Sequence, residues 1–302
     1  MSATLRGMLW TVLSGAIFSL LNATMRLLTQ ELDPFLTQFL RYLFGLIVML
    51  PLVMRSGLAA YRPKFVGGQF WRGAVHTVGL MLWFVALPHV TLADMTAIGF
   101  TAPIFVMLGA ALVLGECMVA ARWVAALIGF TGVLIVVAPN LNDAGGLYNL
   151  VMLASAPMFA ASYLITKALT RHDRAEVIVV WQALTVTLFS LPLALVHWSW
   201  PTPVQWAWFL LCGVLGSAGH YCLNRSFAAI DISATQSVKF VDLIWASLLG
   251  FMVFGDRPSR FTLIGGAVIF ASTVWITQRE ARRAPSGARQ RRKVPPVPPP
   301  EP

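Results

Sequence analysis

Long apolar stretches separated by short polar ones recur along the chain as far as residue 278. Each runs for about 17–25 residues, the length at which a helix rising 1.5 Å per residue crosses a hydrocarbon core roughly 30 Å thick. The pattern predicts ten membrane-spanning helices, at about 7–29, 36–54, 69–88, 93–114, 120–138, 147–168, 176–197, 204–227, 233–254 and 260–278. A transmembrane barrel would show shorter segments alternating apolar and polar side chains, whereas Ala125 to Val137 is apolar almost throughout. The expected class is an all-α membrane protein.

Composition agrees, since 58% of the 302 residues are hydrophobic and only 11% charged, against roughly a quarter charged in an ordinary soluble domain. Lys and Arg near span ends favour the cytoplasmic side. With the N-terminus inside, that side receives Arg6, Arg55, Arg62, Lys64, Arg72, Arg122, Lys167, Arg171, Arg174 and Arg225, and the other chiefly Arg26, Arg257 and Arg260. Both termini are therefore expected in the cytoplasm, in a multi-pass protein of the cell (inner) membrane. The segment 279–302 is basic as far as Lys293 and then reads VPPVPPPEP, a composition that buries no core and predicts a disordered tail. The net charge of +10 owes much to this tail, so it points to topology and the lipid bilayer, not to nucleic acid. Cys117, Cys212 and Cys222 have no metal-ligand or disulfide spacing, and neither metal nor cofactor is expected. The first apolar run is of spanning length and lacks a clear cleavage site, so it is read as a retained helix.

An internal repeat organises the spans. A shift of 141 places Ser14 on Ser155, Phe18 on Phe159, Arg26 on Lys167 and Leu50-Pro51 on Leu191-Pro192; a shift of 140 places Gly79 on Gly219 and Gly115-Glu116 on Gly255-Asp256. The repeats are read as 1–140 and 141–278, with the tail at 279–302. Five spans per repeat is odd, so the second copy must enter the membrane from the opposite face. Two inverted five-helix repeats are the architecture of secondary transporters, whose substrate site lies near the midplane between the halves. A transporter of a small-molecule substrate follows.

The paired ends LVLGE (112–116) and MVFGD (252–256), with RWVAALIGFTGVLIVVAP (122–139), FTLIGGAVIFASTVWI (261–276) and RYLFGLIVMLPLV (41–53), resemble the EamA family of the drug/metabolite transporter superfamily. Residues 72–87 and 92–116 are also similar to S-adenosylmethionine uptake carriers of that family. Two positions depart from the pattern: Asp256 replaces the usual Glu, and Ser272 stands where a glycine matching Gly132 is expected. The resemblance implies a central cavity walled by spans 1, 3, 4, 6, 8 and 9, with spans 2, 5, 7 and 10 more peripheral.

The most conspicuous polar residues are Lys239 and Asp242 in SVKFVDLIW, i and i+3 on one helix face. Each costs about 2.5–3.5 kcal/mol at a helix centre on insertion scales, so they are expected to face the bundle interior, as a ligand site or as a structural ion pair. Their equivalents in the first repeat are Gly99 and Ala102, an asymmetry that suits a zwitterionic ligand. His220, Asn224, Tyr163, Asn22, His76, Trp83 and Thr101 complete the candidate substrate-binding set. The strip Gly213, Gly216 and Gly219 predicts close helix packing. Arg26, Lys167 and Arg41, near span ends, are expected to snorkel or to bind an anionic group. The expected cargo is a small polar metabolite such as an amino acid or its derivative. Two other classes compete: an intramembrane hydrolase using Ser217 and His76, for which the glycine pattern is wrong, and a non-transporting structural protein, which leaves the duplication without a use.

Overall fold

The computed structural model describes residues 3–99, 101–102, 104–106, 109, 120–137, 144–230, 241–257 and 259–283. The helices in chain order are α1 (Ala3–Glu31), α2 (Pro34–Ser56), α3 (Val66–Ala86), α4 (Leu92–Gly99), α5 (Ala120–Val137), α6 (Ala144–Leu169), α7 (Ala175–Val196), α8 (Pro203–Ala229), α9 (Val241–Phe254) and α10 (Arg260–Arg283). Among the described residues every regular element is helical. Among the described residues six helices, α1, α2, α3, α6, α7 and α8, are long and apolar enough to cross a membrane. Much of the expected fourth and ninth spans, Lys239 included, lies outside the described residues.

Local chemistry sets several of the boundaries. Asp33 caps α2, its Oδ1 accepting from the N–H of Phe35 at 2.8 Å and of Leu36 at 3.4 Å, with Pro34 in the first turn, where it has no intrahelical donor to lose. Thr202 and Gln205 form a reciprocal capping box at the start of α8. Gln205 Nε2 also donates to Glu31 Oε2 at 2.7 Å, tying the end of α1 to the start of α8. Gly255, at φ +68°, turns the chain out of α9 in the left-handed region that glycine tolerates. That turn delivers Asp256 to Arg26, whose Nη1 pairs with its carboxylate while the guanidinium lies 4.3 Å from the centre of the Phe254 ring. The Gly-acid end of the second repeat thus has a physical use: the glycine makes the turn and the acid closes an ion pair onto α1.

Helix pairing carries the duplication. α1 packs on α8 as α6 packs on α3, α2 on α8 as α7 on α3, and α1 on α9 as α6 on α4; the pairs α2–α7 and α5–α10 map onto themselves when the halves are exchanged. Large apolar side chains such as Leu127, Leu147, Leu188, Ile244 and Met252 remain exposed on the outside, the surface that lipid covers. The core lies between the halves, around Leu21, Met25, Leu36, Leu40, Leu87 and Phe209.

The glycine strip of α8 sets how closely its neighbours approach. A Cβ on Gly213 would lie 2.6 Å from the carbonyl carbon of Phe44 and 2.7 Å from its oxygen, so backbone meets backbone there. Ser217 Oγ donates to Gly45 O across the same seam at 3.2 Å. A Cβ on Gly216 would meet the Arg41 guanidinium at 3.3 Å, and one on Gly219 the Phe18 ring at 2.9 Å. The strip therefore draws α2 and α1 onto α8 and turns Arg41 inward.

Candidate functional site: a cavity between the repeats

A cavity of about 190 Å³ lies between the halves, walled by α1, α2, α3, α4, α6, α8 and α9. Its apolar surface combines aliphatic and methionine side chains with six aromatic ones. Phe18, Tyr42, Trp83, Phe84, Phe159 and Tyr163 all reach it, and Trp83 meets Phe159 edge to face with centroids 5.7 Å apart. On α1, Thr11, Ser14 and Asn22 supply polar groups, and Asp242 reaches the cavity from α9. Gly15 makes room for that carboxylate, because a Cβ there would overlap Asp242 Oδ1.

One polar corner is built from five helices. Tyr42 Oη lies 3.0 Å from His76 Nε2 and 3.5 Å from His220 Nε2. His76 Nδ1 is 3.1 Å from Ser162 Oγ, and Gln182 Nε2 is 3.3 Å from His220 Nε2. Behind them Arg72, 2% exposed, donates to Thr166 Oγ1, to Ile178 O and to Gln182 Oε1. Arg41, 6% exposed, places its guanidinium 4.1 Å from the centre of the Tyr42 ring. Among the described residues neither arginine has a carboxylate partner. Neutral acceptors and an aromatic face carry the charges instead.

The arrangement can hold a flat ring between aromatic side chains while a few buried donors and acceptors fix its orientation, the usual composition of a small-molecule site. Of the candidates named from sequence, Asn22, His76, Trp83, Tyr163, His220 and Asp242 line the cavity, and Asn224 and Thr101 do not. Asn224 is wholly buried one turn beyond His220, where its Nδ2 donates to Ala175 O at 3.5 Å. Thr101 Oγ1 bonds back to Ile98 O at 2.7 Å. Lys239 lies outside the described residues.

The geometry corrects one expectation from the sequence, decides between the alternatives left open for another, and agrees with setting the hydrolase aside. Span 2 is not peripheral, since α2 contributes Arg41 and Tyr42 to the cavity; the close α2–α8 seam at Gly213 and Gly45 brings it in. Arg26 and Lys167 do not snorkel: Arg26 pairs with Asp256, and Lys167 Nζ donates to Phe227 O at 2.6 Å and Ile230 O at 2.9 Å at the end of α8. Ser217 and His76 form no nucleophile–base pair, because Ser217 Oγ donates to Gly45 O while both ring nitrogens of His76 are engaged by Tyr42 and Ser162.

Against known proteins, the profile of the EamA-like transporter family matches residues 5–138 and again residues 146–278. The chain belongs to the EamA-like transporter family. A riboflavin transporter of Rhizobium johnstonii is 36% identical to this EamA-like chain over 280 residues, covering 92% of each. A riboflavin transporter of Vibrio cholerae is 32% identical, over 93% of this chain and 95% of the relative. An S-adenosylmethionine uptake transporter of Rickettsia prowazekii is 25% identical, over 92% and 94%. A solved crystal structure shares the fold, with a TM-score of 0.64 at 19% identity, covering 93% of this chain and 98% of its own. The two matched repeats and the transporter relatives make this EamA-like protein a multi-pass membrane transporter, not an enzyme.

Proposed function

We propose that the protein carries riboflavin, or a metabolite of the same flat heteroaromatic build with a polar tail, across the cell (inner) membrane by alternating access. The observation that carries this reading is the aromatic wall, Trp83, Phe159, Phe18 and Phe84, facing a polar corner of imidazole, phenol and guanidinium. A tricyclic ring suits the first and its heteroatoms the second, and two relatives above 30% identity are named riboflavin transporters. A second reading, an amino-acid derivative such as S-adenosylmethionine, is favoured by one feature: Asp242 on the cavity wall, a carboxylate suited to a cationic group. In this proposal ten spans form two inverted five-helix repeats, at 1–140 and 141–278, followed by a cytoplasmic tail at 279–302, and exchange of inward-open and outward-open shapes follows from their similarity. The exchange symmetry of the helix pairing supports that reading.

The test is uptake into liposomes holding the purified protein. Saturable riboflavin uptake is expected, and Trp83→Ala is expected to cut it about two- to twelvefold, the range of one aromatic contact of about 0.5–1.5 kcal/mol. Uptake of S-adenosylmethionine and not of riboflavin would move the assignment to the second reading. Topology has its own check: in a background lacking the three native cysteines, Ser2→Cys and Gln290→Cys should resist a membrane-impermeant thiol reagent in intact cells, while Asn142→Cys between the repeats should label. Labelling at either terminal position would overturn the ten-span arrangement.

A further inference from the structure

Among the described residues two buried donors at the polar corner lack acceptors, and one of them is revealed only by following the hydrogen bonds outward. Arg72 Nη2 donates to Gln182 Oε1 at 2.7 Å, which fixes the Gln182 amide with its NH₂ toward His220. That NH₂ donates to His220 Nε2, so Nε2 is the accepting nitrogen and the imidazole carries its proton on Nδ1. Among the described residues Nδ1 has no partner. Arg41 Nη1, an obligatory donor, is equally without one. Both side chains are more than nine-tenths buried, both line the cavity, and both lie against the Tyr42 ring. An unmet buried donor is costly, and more so when charged, so this corner calls for a ligand group that only accepts.

We infer that Arg41 and His220 form the orienting end of the substrate site and bind the carbonyl-rich edge of the substrate ring, while Trp83 and its aromatic neighbours hold the rest of the ring. The inference rests on the flat heteroaromatic reading above and deepens it, because it fixes which end of the molecule enters the corner. It also adds a selectivity rule: flat rings with two carbonyl oxygens on one edge are taken, and rings of equal size without them are refused.

The experiment compares riboflavin with phenazine, a tricycle with no carbonyl oxygen, by quenching of tryptophan fluorescence in the detergent-solubilised full-length protein. Wild type is expected to bind riboflavin at least tenfold more tightly than phenazine; equal affinities would overturn the inference on the unmutated protein. Arg41→Gln is expected to weaken riboflavin about tenfold or more, the usual effect of losing a charged hydrogen bond, and to change phenazine less than about twofold. His220→Phe keeps a ring in place and removes Nδ1–H, so it should show the same one-sided loss and stands in if Arg41→Gln fails to fold. Equal weakening of both ligands in folded variants would overturn the orientation and leave riboflavin transport intact. Failure of wild type to bind riboflavin at all would overturn the transport reading and this inference together.

Discussion

Gly213→Leu is expected to force α2 away from α8 and to abolish both a monodisperse protein and transport. The Cβ of any residue at 213 would sit 2.6 Å from the backbone carbon of Phe44 and 2.9 Å from the Gly45 nitrogen, and backbone atoms cannot rotate aside as a side chain would. Overpacking typically costs about 1–3 kcal/mol where neighbours can shift, and this seam has no flexible neighbour to give way. The separation also breaks the bond from Ser217 to Gly45 O and withdraws Arg41 and Tyr42 from the cavity. Gly213→Ala should already lower the melting temperature in detergent, and Gly213→Leu should run as aggregate on size exclusion. A leucine variant with a wild-type profile and wild-type uptake would show that the seam has slack.

Removing one partner of the Arg26–Asp256 pair is expected to have the second-largest effect. Arg26→Ala leaves the Asp256 carboxylate without its cation and strips the Phe254 ring of its guanidinium. Breaking a buried pair costs about 3–5 kcal/mol. Asp256 retains 18% side-chain exposure, so solvent relieves part of this and about 3 kcal/mol is the expected loss. The double variant Arg26→Met with Asp256→Leu should recover most of it, because an apolar pair of similar volume leaves no lone charge. Melting temperatures across this cycle decide the matter. If Arg26→Ala melts with the wild type, the pair contributes nothing to stability.

Helix positions were legible in the sequence because membrane length and apolarity leave few alternatives: the first expected span, 7–29, falls within α1, and the seventh, 176–197, differs from α7 by one residue at each end. The cavity was legible where a polar side chain stood alone in an apolar run, as for Asn22, His76 and His220. For Arg41 the sequence left snorkelling and binding of an anionic group both open, for a physical reason. A basic residue eight positions into a helix is within reach of the interface, and nothing local distinguishes snorkelling from inward rotation. Only the glycine strip of α8, some 170 residues away, decides between them. Tyr42 carried no signal beyond being aromatic in an aromatic-rich chain. Asn224 misled because it lies four residues beyond His220 and shares its helix face, yet that extra turn carries it past the cavity to the start of α7.

The corner between α1 and α2 has a mechanical consequence. Only Leu32 and Asp33 join the two helices, with Asp33 occupied as a cap and Glu31 held by Gln205. Such an elbow has no slack and makes α1 a lever arm with its fulcrum at that end. A tilt of roughly 10° would carry Thr11, about 30 Å along the helix, through about 5 Å, but Arg26 through little more than about 1 Å. The far end would lose the Thr11–Ser226 and Ser14–Gly219 bonds, now 2.7 and 3.0 Å long, while the Arg26–Asp256 pair rode near the pivot unbroken. In the proposed alternating-access cycle, leverage of this kind would open one mouth of the cavity and leave the other latched.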